Sequence, residues 1–133
     1  MIQSLSQQRI KLAHELVSAH LGRDEATIYG RLCHRFPMMV MQGGLTSAVL
    51  FISSKSTGED TRPKAYQAIL KDIAQVLRLG DKKNVIDVLA KEKNALKIMA
   101  WTHEVLHTWA MMRRFAVSIL KVESGSEDDG EDA

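Results

Sequence analysis

His103, Glu104 and His107 in the run HEVLH have the H-E-x-x-H spacing of zinc hydrolases. On a helix, residues four apart share one face, so both imidazoles can reach a single metal ion with Glu104 beside them as a general base. Two features of the same stripe argue against that chemistry. Arg114 and Lys121 fall within about 40° of the two histidines at 100° per residue, and fixed positive charge disfavours a dication. A third protein ligand is also missing, because the carboxylates downstream are Glu123 and those of an acidic tail. His103 and His107 therefore read as members of a basic row, with Glu104 as an exposed helix residue, and no metal is expected. Cys33 and His34 are adjacent and point apart, and His14 and His20 are six apart, too far round a helix to share a ligand. The chain shows no Ser-His-Asp arrangement, isolated carboxylate pair or phosphate-cradling glycine loop. The expectation is a protein that is not an enzyme and needs no cofactor.

The elements that position these residues read as helices throughout. Periodicity near 3.6 recurs along the chain, and no segment alternates with the period of two that a strand needs. A first helix is expected over residues 4–21, with Leu5, Leu12, Leu16 and Ala19 on its apolar stripe and Gly22 ending it. Asp24 is placed to cap a second helix reaching Phe36, and Pro37 to open a third that runs to Lys55, with Gly43-Gly44 in its interior. Pro63 opens a fourth helix that runs to Leu79 before the Gly80-Asp81 break. A short helix over residues 85–90 precedes a long one from Asn94 to Val122. The last of these carries Ile98, Val105, Trp109, Met112, Ala116 and Leu120 at the centre of its buried face, with Met99, Leu106 and Val117 on one shoulder. The fold class is all-α, a single-domain helical bundle of about five or six helices with a long C-terminal helix.

Composition bounds the rest. A chain of 133 residues with 45% hydrophobic side chains makes one core and needs neither disulfide nor metal to hold it. The lone cysteine, Cys33, excludes an internal disulfide, and a reducing, cytoplasmic setting is expected. The most apolar stretch, Phe36 to Ile52, is broken by Pro37, Gln42, Gly43, Gly44, Thr46 and Ser47, whereas a membrane span takes about 20 apolar residues in succession, so no membrane partner is expected. Charge divides the chain into two parts. Six of its 16 acidic residues lie in the last eleven, so residues 1–122 carry 18 basic against 10 acidic side chains. Residues 1–122 are expected to form the helical domain and residues 123–133, with nothing apolar to bury, a disordered acidic tail.

A basic body favours a polyanionic partner. Two rows of cations carry that reading: His103, His107, Arg114 and Lys121 on the long helix, and Lys64, Lys71 and Arg78 at intervals of seven on the fourth. Aligned cations follow a phosphate backbone by releasing counterions, which gives binding that is indifferent to sequence and weakened by salt. None of Lys64, Lys71 and Arg78 has a glutamate four positions before it to neutralise it on its own helix. Arg31, Arg35 and Lys55 form a further cluster that brackets the apolar third helix. The bland alternatives are a solvated face and a surface that meets acidic partner proteins.

Residues 35–55, RFPMMVMQGGLTSAVLFISSK, resemble the signature region of the small α-helical subunit of the type III-B CRISPR Cmr effector complex. Arg35, Pro37, Gly44-Leu45 and Ser54-Lys55 carry the resemblance, supported by Tyr66 in a middle helix and by Trp109 and Phe115-Ala116 in the long one. It extends over residues 1–122 and leaves out the tail; Gly43 stands where the family often has asparagine, so no role of that amide carries over. The resemblance implies a non-catalytic subunit that stacks in two or three copies beside the guide-RNA-binding subunits of an RNA-targeting complex. It further implies a basic surface facing target RNA, with cleavage performed by other subunits. The implied partners are those subunits, guide and target RNA, and further copies of the chain itself.

Overall fold

Ser4 opens the first helix with a reciprocal cap: its hydroxyl accepts from the Gln7 amide, and the Gln7 side chain accepts from the Ser4 amide. The computed structural model describes residues 4–80 and 84–124, and within them the chain forms six helices and no strand. These are α1 (Leu5–Ser18), α2 (Ala26–Gly43), α3 (Leu45–Ser54), α4 (Thr61–Val76), α5 (Val85–Lys91) and α6 (Ala95–Ser118). The all-α fold expected from periodicity is confirmed. Asn84 and Asn94 cap α5 and α6 by accepting from amides of their first turns, which also separates the two helices at residues 92–94.

The expected break at Pro37 is not where the chain breaks. Helix α2 runs through Pro37 and stops at Gly44, whose φ of 91° suits glycine and which serves at once as the C-cap of α2 and the N-cap of α3. Pro37 has no amide proton to offer the Cys33 carbonyl, a loss that usually ends a helix. Here Tyr29, Leu32, Cys33, Phe36, Pro37 and Val40 form one buried face, and keeping it continuous outweighs that loss. Other boundaries shift less: α1 ends at Ser18, Glu25 rather than Asp24 precedes α2, and α4 begins two residues before Pro63 and ends at Val76. Helix α6 ends at Ser118, four residues short of the expected Val122.

Helices α1 and α2 both pack on α6, α4 lies across α2 and α3, and α5 closes against α3. Gly30 and His34 meet Val122, and Phe36 meets Trp109 at 5.1 Å between ring centroids, so α2 and α6 run antiparallel. Arg9 meets Glu104 and His14 meets Phe115, so α1 runs parallel to α6. Trp109, Tyr29, Tyr66 and Phe36 are the largest fully buried side chains. The stripe expected on α1 is displaced: Ala13, Leu16 and Val17 are buried, while Leu5 and Ala19 are exposed. On α6, Met99, expected on the buried face, is 55% exposed.

After α6 the chain folds back. Val122 is buried against Gly30, its carbonyl 2.8 Å from His34 Nε2, and a Cβ on Gly30 would lie 2.7 Å from a Val122 methyl. The expected acidic tail falls, from residue 125 onward, outside the described residues.

Candidate nucleic-acid interface

Helix α4 presents Lys64 and Lys71 to solvent, two turns apart. Arg78, expected as the third member of a helical row, lies beyond the end of α4 with φ 59°. The Leu77, Arg78 and Leu79 amides bond back to Ile73, Gln75 and Ala74 and close the helix end, a geometry in which the left-handed position is usually glycine. The row is therefore bent at its end, but Lys71 and Arg78 stay together on the wall of one groove of ≈650 Å³ between α3, α4 and the start of α5. On its other side Lys71 lines a second cleft of ≈570 Å³, shared with Lys64, Arg23, Glu15, Glu25 and Asp72.

The row on α6 also needs correction. His103, His107 and Arg114 are exposed on the helix, but Lys121 lies past its end at φ 63° and does not continue the stripe. Glu104 is not the exposed bystander expected from sequence. It accepts a two-pronged bond from Arg9, Nε to Oε2 at 3.0 Å and Nη2 to Oε1 at 2.8 Å, which ties α1 to α6. That bond holds its carboxyl below the usual carboxylate range, against burial and with help from the charges of Arg78 and His107. The signal missed in sequence was Arg9, whose partner lies 95 residues away.

Arg31, Arg35 and Lys55, expected as a further basic cluster, are all half-buried. Arg31 and Arg35 lie on α2, and each takes part in an interaction. Lys55 caps α3 with its ammonium 5.7 Å from the centre of the Phe51 ring. The rings of His103 and His107 lie 6.5 Å apart, and no group of three His, Cys, Asp or Glu side chains suited to a metal occurs among the described residues. The second cleft has a buried floor: Tyr29 donates to Asp72 at 2.5 Å beside Cys33, and His20 stacks on Tyr29 at 3.8 Å. No helix among the described residues is long and apolar enough to cross a membrane.

Fold and site together define a class: a small, single-domain, all-α protein with one cationic groove beside a cleft of mixed charge. A family model described as CRISPR-associated protein (Cas_Cmr5) matches residues 5–119, and the chain belongs to that family. The CRISPR system Cmr subunit Cmr5 of Thermus thermophilus is 30% identical to it over 100 residues, 75% of this chain and 79% of that one. A crystal structure of a CRISPR-associated Cmr5 family protein, also from Thermus thermophilus, superposes with a TM-score of 0.74 at 26% identity, covering 91% of this chain and 100% of the other. The family expected from Arg35, Pro37, Gly44-Leu45 and Ser54-Lys55 is thereby confirmed.

Proposed function

We propose that the chain is a small, non-catalytic subunit of a type III-B CRISPR Cmr effector complex, stacking in several copies and holding target RNA against the cations of α4 and α6. The observation that carries the RNA contact is the exposed set Lys64, Lys71 and Arg78, none of them held in an ion pair among the described residues. Membership of the family and the identity of the Thermus relative as a Cmr subunit support the place in a complex. The antiparallel course of α2 and the parallel course of α1 put Leu5 and Met41 toward the end of the molecule where α6 begins with Leu96 and Met99, each more than half exposed. Several exposed apolar side chains toward one end suit protein contact.

Reversing charge at Lys64 and Lys71 together is expected to weaken target-RNA binding by the assembled complex about tenfold at moderate salt. The salt dependence should fall by roughly 0.7 per lost cation, the value for single strands. Unchanged affinity overturns the RNA contact. The same apolar end favours a second reading, in which the cations meet acidic faces of partner proteins. Labelled target RNA then gives no crosslink to this subunit within the complex, whereas the first reading gives one.

A further inference from the structure

The two hollows that share Lys71 differ in chemistry. The cleft toward α1 sets Glu15, Glu25 and Asp72 against Lys64 and Arg23, so an anion entering it meets both signs of charge. The groove toward α5 presents Lys71, Arg78, Ser53, Ser56, Gln75 and Asn84, with no carboxylate among the described residues lining it. Its walls are held in place. Gln67 donates to the Ser56 and Gly58 carbonyls at 2.7 and 3.0 Å, and the Ser56 hydroxyl donates to the Ser53 carbonyl at 2.8 Å, which fixes the end of α3 against α4. The Asn84 carbonyl oxygen accepts from the Ile86 and Asp87 amides, so the NH2 of the same side chain is the part left to donate.

Arg78 supplies a second, independent observation. It holds φ 59° at a helix end where glycine is the usual residue. A side chain kept in a sparsely populated backbone conformation points to a use for that side chain. The guanidinium is the planar, many-donor cation suited to phosphate oxygens, and it lines the groove together with Lys71.

We infer that the groove between Lys71, Arg78 and Asn84 is a phosphodiester-binding site, which seats one phosphate of a single-stranded RNA between the two cations. The inference rests on the RNA-contact reading above and sharpens it, because it excludes the mixed-charge cleft and assigns the seat to one side of Lys71. Lys71 supplies a compact positive charge, Arg78 a forked set of donors, and the Asn84 amide a neutral donor at the far wall.

Two variants test the site without disturbing the fold. Arg78→Gly suits the left-handed position better than arginine does, and Asn84→Asp keeps the acceptor that caps α5 while replacing the donor with a negative charge. Binding of a labelled single-stranded target RNA by the assembled complex is measured against salt for both, with Lys64→Gln, which lies outside the groove, as comparison. Each groove variant is expected to weaken binding about three- to tenfold, and Arg78→Gly to lower the salt slope by roughly 0.7. If Lys64→Gln weakens binding while both groove variants bind as the parent does, the groove assignment is overturned and RNA contact by α4 stands. If none of the three has an effect, the RNA contact itself is overturned. A titration of the isolated chain with inorganic phosphate, followed through the Arg78 Nε–H signal, separates the source of the phosphate. A response there, combined with unchanged RNA binding by Arg78→Gly, makes this a free-phosphate site and overturns the RNA assignment.

Discussion

Asp72 puts a carboxyl in the core, 4% exposed, where Tyr29 donates to it and Cys33 lies close by. Burial pushes its pKa up to about 7, although the Tyr29 hydroxyl and the nearby charge of Lys71 both favour the ionised form. The sign of the consequence follows from proton counting. Between the ordinary carboxylate value near 4 and about 7 the folded chain holds a proton that the unfolded chain has released, so stability falls as pH rises through this window. The loss reaches up to about 4 kcal/mol above pH 7 for a shift of this size. Asp72→Asn keeps an acceptor for Tyr29 and carries no charge. Urea unfolding is expected to show it more stable than the parent at pH 8, close to it at pH 5, and without the slope between them; a slope that persists in the variant sinks this account. None of this was visible in sequence, since Asp72 sits beside Lys71 on a helix that looks amphipathic, and Tyr29 lies 43 residues away.

Between α2 and the segment after α6, the contact turns on a missing side chain. Gly30 is buried in the second turn of α2 without a positive φ, so its use is space, which Val122 fills. Gly30→Ala is expected to push residues 119–123 off α2 and cost about 1–3 kcal/mol, as overpacking does. Hydrogen exchange of the Val122 amide, which bonds to the Ala116 carbonyl, should quicken in the variant; unchanged protection there counts against the tether. Element boundaries were legible where local chemistry sets them, as at the Ser4, Asn84 and Asn94 caps. They were not legible where packing overrides local preference: Pro37 reads as a helix start, and only the buried face around it explains why α2 continues to Gly43. The cations of α4 were readable because exposure follows from periodicity. The bend at Arg78 and the departure of Lys121 were not, because a helix end at an arginine or a lysine carries no glycine to announce it.

At the level of the whole molecule, the apolar end formed by Leu5, Met41, Leu96 and Met99 makes a prediction separate from the RNA contact. Leu96 is 73% exposed and Met99 55%, so replacing both with glutamate should change stability by no more than about 0.5 kcal/mol, as surface substitutions usually do. Co-purification with the other Cmr subunits is expected to be lost; retention of full assembly rejects this end as a docking surface. The seat of Val122 on α2 has a consequence for orientation. It holds Val122 toward the end of α6 opposite Leu96 and Met99, and so gives the described helices a head and a foot. A reporter joined at Ser4 is expected to obstruct whatever lands on Leu5, whereas one joined at residue 124 is expected to leave that end free. Comparing the two fusions would reveal which way each copy points within an assembly.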